Sequence, residues 1–166
     1  MLPLESLFRQ LNERGGRYVL VGGLAVVLHG HLRATGDVDL VVDLSTDQVD
    51  RTLDALQAAG FQPYVPVPPS DFADPAKRAA WVRDKGMIVF SLRPASGVPL
   101  VDLFLEHPIP FDQLWARSVV VELRGVPVRI ASIPDLIALK RMAGRPEDLA
   151  DVAALAEIER LREEEQ

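Results

Sequence analysis

Val21-Gly22-Gly23-Leu24-Ala25-Val26-Val27-Leu28-His29-Gly30-His31-Leu32-Arg33-Ala34-Thr35-Gly36-Asp37-Val38-Asp39-Leu40 is the stretch on which the reading of this 166-residue chain turns. It opens at the end of a short apolar run, Tyr18 to Val21, which predicts a brief buried strand. The glycine pair breaks that strand, and Leu24 to Leu28 continues as a helix closing near Gly30. From Asp37 to Asp43 the β-branched content and alternation predict a second strand. Side chains alternate across a strand, so Asp37 and Asp39 share one face and Val38 and Leu40 the other. Two carboxylates side by side repel each other, and a hard divalent cation such as magnesium would remove that repulsion. The same tripeptide also occurs with both acids simply facing water on an edge strand. Glycine at a strand-to-helix turn lets a phosphate approach bare backbone N–H groups, although many Gly-Gly pairs are only turns.

Before this stretch, Leu4, Leu7, Phe8 and Leu11 recur at helical spacing, and Gly15-Gly16 ends the run. After it, Ser45 and Thr46 are cap candidates for a helix that turns Val49, Leu53 and Leu56 inward and stops at Gly60. Phe61 to Tyr64 reads as a short strand. Residues 65–75 hold four of the 13 prolines and read as a surface loop, with a helical turn from Ala76 to Val82. Met87 to Leu92 and Leu100 to Leu105 form a hairpin about residues 94–97, and Val119 to Leu123 pairs with Val126 to Ile130 about Arg124-Gly125. Ser132 and Asp135 resemble a capping box for a helix ending at Gly144. Pro146 opens a last helix running into the acidic end Glu163-Glu164-Glu165-Gln166. Residues 1–131 read as a core, and 132–166 as a helical C-terminal extension of the same domain.

Hydrophobic content of 48% with 25% charged residues predicts a folded core. The absence of cysteine removes disulfides, thiolate nucleophiles and cysteine zinc ligands, and suits a reducing cytoplasm. The N-terminus lacks the pattern of a signal peptide, and no run approaches the ~18 apolar residues of a membrane span. A net charge of −6 opposes the approach of a polyanion, which disfavours a large RNA and leaves any phosphate ligand to be held locally. Only three lysines, Lys77, Lys85 and Lys140, are present for such a role.

Asp102 interrupts the apolar run from Leu100 to Leu105, where an ionised acid left buried and unpaired would cost several kcal/mol. A metal shared with Asp37 and Asp39 would compensate it, as would an exposed strand face or a pairing with Arg33 or Arg93. His29 and His31, two apart at a helix end, read as capping or core residues more readily than as zinc ligands.

The order of glycine pair, arginine, threonine and Asp-x-Asp over residues 21–40 resembles the signature of the polymerase-beta-like nucleotidyltransferase superfamily. Within it the chain looks most like the minimal, AbiEii-like branch of bacterial toxin–antitoxin and abortive-infection proteins. The segment Lys140-Arg-Met-Ala-Gly-Arg-Pro-Glu-Asp-Leu-Ala-Asp151 resembles that branch's later lysine and aspartate. The resemblance implies an α/β (α+β) nucleotidyltransferase fold, a mixed central sheet flanked by helices with further helices at the C-terminus. It implies that Gly22 and Gly23 cradle the phosphates of a nucleoside triphosphate, with Thr35 beside them. Asp37, Asp39 and Asp102 would then hold two magnesium ions, with Asp102 taking the proton of the attacking hydroxyl. Arg33 would reach the triphosphate or buttress Asp39, Lys140 would contact phosphate, and Asp148 would orient Lys140 or Arg145. Many family members have Gly-Ser where this chain has Gly22-Gly23, so a hydroxyl contact is missing. The reaction implied moves a nucleotidyl group to an acceptor hydroxyl on a protein, a tRNA end or a small molecule. The alternative is a catalytically silent member that keeps the fold to bind a partner protein. Oligomeric state stays open, with the apolar faces of the last two helices able to support a dimer.

Overall fold

The computed structural model describes residues 1–166. In chain order the elements are α1 (Pro3–Glu13), β1 (Tyr18–Val21), α2 (Gly22–Leu28), β2 (Val38–Val42), α3 (Thr46–Ala58), β3 (Gln62–Pro63) and α4 (Ser70–Ala73). They continue with α5 (Pro75–Lys85), β4 (Val89–Arg93), β5 (Val101–Phe104), α6 (Phe111–Arg117), β6 (Val119–Leu123), β7 (Val126–Ile130), α7 (Ile133–Ala143) and α8 (Pro146–Glu164). The seven strands make one mixed sheet in the order β3-β4-β5-β2-β1-β7-β6. β2 runs parallel to β5 and antiparallel to β1, which puts Asp39 opposite Asp102 on one side and Val21 on the other. Those two pairings place the end of the glycine turn and two of the three acids at one edge of the central strands.

The core is built from the alternation the sequence carries. Leu40, Val42, Leu103, Phe90 and Leu92 are fully or almost fully buried, while Asp39, Asp102, Phe104 and Ser91 on the other pleats are only partly so. Phe72 of α4 and Trp81 of α5 stack on Phe90, with ring centroids 5.4 Å and 5.3 Å away, and α1 presents Phe8 to Tyr18. Edge-offset aromatic contacts of this kind add to the area they bury.

Residues 65–75, expected as a loop, contain α4 and the start of α5. Pro69 and Pro75 stand at or just before first helical turns, where a missing N–H costs nothing. Asp74 caps α5 through the backbone N–H groups of Ala76 and Lys77, so the expected single turn runs on to Lys85 and ends at the left-handed Gly86. α6 was not expected from the sequence. The Ser132 cap forms, accepting from the Asp135 N–H, but the Asp135 carboxylate does not return to it. It takes a forked pair from Arg117 at 2.9 Å instead, tying α7 to α6. Both expected hairpins form, and Arg124 (φ 49) and Gly125 (φ 82) make the tight turn of the second. No helix is long and apolar enough to cross a membrane.

Candidate active site

Gly22, Gly23, Arg33, Thr35, Asp37, Asp39, Asp102, Lys140 and Asp148 all line one open cleft of about 500 Å³. These nine candidates reach the same place although five separate elements and the loop before β2 deliver them. Asp37 lies just ahead of β2 rather than within it and is exposed.

The glycines are needed by their neighbours. Gly22 sits at φ +72, and a Cβ there would overlap the Asp39 carboxylate. A Cβ on Gly23 would lie 2.5 Å from Thr35 Oγ1 and 2.8 Å from an Arg33 nitrogen, so the turn and the loop before β2 close on each other because both residues are bare. Burial pushes Asp39 up to about 6, and the charges of Asp102 and Asp37 push in the same direction against Lys140 and Arg145. Asp102 is also raised, by burial first and by Asp37, while the Ser91 hydroxyl donates to it at 2.6 Å and pulls the other way. The side chain that pairs with Asp102 is thus Ser91, not Arg33 or Arg93, and it offsets the burial only in part.

The donor set is carboxylate oxygen alone, the chemistry a hard divalent cation takes, and the mutual repulsion raising two of the acids is what such an ion relieves. No three acidic or histidine side chains are already drawn into a closed cage. The residues present fit a cation bound together with a ligand's own oxygens, as magnesium usually binds.

Across the cleft stands a buried ion network. Lys140 Nζ, with a side chain only 8% exposed, lies 3.0 Å from Asp151 Oδ2 and 3.3 Å from Asp148 Oδ1. Arg145 pairs with Asp148 at 2.8 Å, and the Asp148 carboxylate also accepts the Arg145 backbone N–H, capping α8. Hydrogen bonding to Arg145 and Lys140 holds Asp148 below the usual carboxylate range. Arg33 forks onto Asp151 at 2.8 Å and 2.7 Å. This corrects the expectation that Arg33 buttresses Asp39: its guanidinium is spent on α8. Asp148 contacts both Lys140 and Arg145, the two cations it was expected to orient in one or the other case. Arg145 also pairs with Glu147 at 3.6 Å, so three cations and three carboxylates meet here, and Lys140 and Arg145 are the cations this wall brings to the cleft opposite the three acids.

Asp151, which holds both Lys140 and Arg33, was given no role from the sequence. The signal was available, because Asp148, Asp151 and Leu155 recur at helical spacing along one face of α8 and all three are buried. His29 is a core residue as expected, its Nε2 in contact with the Ala131 carbonyl at 2.8 Å, and burial lowers its pKa.

Several solved structures share the fold. A lincosamide antibiotic adenylyltransferase, LnuA, bound to lincomycin, superposes with a TM-score of 0.62 at 16% identity, over 94% of this chain and 96% of that one. An antigenic nucleotidyltransferase-like protein from Paracoccidioides brasiliensis gives 0.56 at 19% identity, covering 91% and 72%. ANT(2'')-Ia in complex with adenylyl-2''-tobramycin gives 0.55 at 15% identity, covering 96% and 92%. No curated protein matches the chain by sequence. A family model, described as nucleotidyl transferase AbiEii toxin of the type IV toxin–antitoxin system, matches residues 5–165. With that family model matching nearly the whole length, this chain belongs to the AbiEii family of nucleotidyltransferases.

Proposed function

We propose that the protein moves a nucleotidyl group from a nucleoside triphosphate to an acceptor hydroxyl, with Asp37, Asp39 and Asp102 as its catalytic carboxylates. The observation that carries this is the register of Asp39 against Asp102 on neighbouring parallel strands, with Asp37 ahead of them and the bare Gly22-Gly23 turn alongside. Asp37, Asp39 and Asp102 would hold magnesium, two ions in the full complex, which neutralises the triphosphate and the departing pyrophosphate. Asp102, at the outer side of the pair, takes the proton of the acceptor hydroxyl as its oxygen bonds to the α-phosphorus. The bond from that phosphorus to the β-phosphate oxygen breaks, and pyrophosphate leaves. The bare backbone at Gly22 and Gly23 admits the phosphates. Lys140 and Arg145 supply positive charge on the facing wall, held in place by Asp148, and Thr35 offers a hydroxyl at the rim.

The acceptor is a hydroxyl of a small molecule or of a partner protein. The net charge of −6 works against a large RNA. The adenylyltransferases that share the fold carry antibiotics as acceptors, which makes a small ring-bearing molecule a reasonable first panel. Membership of a toxin family supports a cognate partner encoded with it, and the cysteine-free chain suits the cytoplasm. Residues 132–166 complete the site rather than forming a separate module, since Lys140 and Asp148 lie in them.

Calorimetry with ATP, GTP, CTP and UTP in magnesium tests the assignment. One or more should bind only with the metal, and Asp39→Asn should abolish that binding and transfer together. An unchanged triphosphate affinity in the variant would remove Asp39 from the site.

A further inference from the structure

The side of the cleft beyond Asp102 is an open sheet face. On β5 the buried Val101 and Leu103 alternate with the half-buried Asp102 and Phe104, and on β4 the buried Phe90 and Leu92 alternate with Val89, Ser91 and Arg93. The register sets Phe104 beside Val89 and Asp102 beside Ser91. Tyr64, just past β3, joins the same sheet edge by donating its N–H to the Ser91 carbonyl at 2.8 Å. The buried face of this wing is covered by Phe72 and Trp81. On the other face Val89, Ser91, Asp102 and Phe104 are only partly buried and Arg93 is exposed, while α2 packs on β1 and β2.

What that face offers is flat and partly aromatic. Tyr64 is 55% exposed, and the Arg93 guanidinium lies 5.1 Å from its ring centroid. Phe104 borders both the cleft and an adjoining hollow of about 270 Å³ whose lining includes Val82, Met87 and the largely exposed Ile88. Two residues along a strand set Phe104 about 7 Å from Asp102, and two strand spacings set Tyr64 about 10 Å from it. Rings and a stacked guanidinium bind planar groups through their faces, and a flexible polyol has no flat face to lay on them.

We propose that this open β3–β4–β5 face is the acceptor subsite, and that the acceptor is a small hydroxyl compound built on a planar ring. Its hydroxyl meets Asp102 while its ring lies on Phe104 and reaches toward the Tyr64–Arg93 pair. The proposal rests on Asp102 being the proton acceptor. It adds the substrate class, which neither the fold nor the family supplies.

The test uses the full chain loaded with magnesium and a non-hydrolysable triphosphate, followed by backbone amide NMR. Adenosine serves as the planar-ring hydroxyl probe and sorbitol as the ring-free one. Adenosine should give saturable shifts at residues 62–64, 89–93 and 102–104, and sorbitol none. Tyr64→Ala and Arg93→Ala should each weaken adenosine by about fivefold or more, the loss of one stacking contact, with triphosphate affinity unchanged. Shifts absent from those strands, equal affinity in the variants, or equal response to sorbitol each overturn the proposal. Failure of the triphosphate to bind in magnesium defeats the nucleotidyl-transfer reading instead. The same adenosine titration on unloaded protein then still decides the subsite, since entry into the nucleotide cleft would shift residues 21–23 and 140.

Discussion

Burial and the charges of Asp102 and Asp37 push Asp39 up to about 6, so folding at pH 8 carries an already ionised group into a place that resists its charge. An acid whose folded pKa lies above its unfolded value binds protons more tightly when native, so the metal-free protein gains stability as pH falls from above 6 towards 4. A shift of about two units at 1.36 kcal/mol each sets an upper bound of roughly 3 kcal/mol. Asp39→Asn should therefore raise unfolding stability in EDTA at pH 8 by about 1–3 kcal/mol while abolishing transfer. Urea titrations at pH 8 and pH 4 check this, and an advantage of equal size at both values would refute the charge argument. Gly22 answers to the same carboxylate. Gly22→Ala meets both a positive φ and Asp39, and should cost about 1–3 kcal/mol, whereas Gly36→Ala has nothing within 4 Å of its new methyl and should be close to neutral. Matching denaturation curves for the two would show that the turn can relax. These site residues were legible because strand alternation and a glycine turn are local rules. That Arg33 turns to α8 was not, since its partner Asp151 lies 118 residues away.

The α7–α8 corner shows what helix-level packing adds to local patterning. Lys140 is buried and braced by Asp148 and Asp151, so removing Asp151 leaves it only a carboxylate shared with Arg145 and leaves Arg33 with none. Asp151→Ala should cost about 3–5 kcal/mol, as breaking a buried pair does, and should also free Arg33 and loosen the loop that delivers Asp37. Chemical denaturation reads the first effect, and faster amide exchange at residues 33–37 reads the second. A cost under about 1 kcal/mol would reduce the network to surface-like ion pairs. The pH sign here is opposite to that of Asp39. Arg145 holds Asp148 below its ordinary value, so its contribution is present above about pH 4 and is lost as pH falls through the folded pKa. Asp148→Asn should flatten that acid limb. Elements with a clear period, such as α1, α3 and both hairpins, could be placed from sequence. Residues 65–75 could not, because proline density reads as loop even where the prolines occupy helix starts. α6 is seven residues long, too short to show a period of its own.

The sheet binds distant parts of the chain into one body, and its two tryptophans report from opposite wings. Trp81 lies on Phe90 beside β4 at one side, and the Trp115 ring is flanked by Arg17 and Arg129 beside β1 and β7 at the other. Between them run β5 and β2 with the acids, and α8 ties the last residues back to the centre through Leu155 and through Arg162, which donates to the His29 carbonyl at 2.9 Å. If residues 132–166 are part of the same cooperative unit, nothing should melt ahead of the rest. Trp81→Phe and Trp115→Phe each leave a single tryptophan as reporter. Their fluorescence transitions should share one midpoint with the helical signal in far-UV dichroism, after correction for each variant's own stability. An early loss of helical signal before either tryptophan moves would mark α8 as a separable unit. Lys140 and Asp148 would then belong to a segment able to detach, and the wall of the cleft that carries Lys140 and Arg145 would be an assembled feature rather than a permanent one.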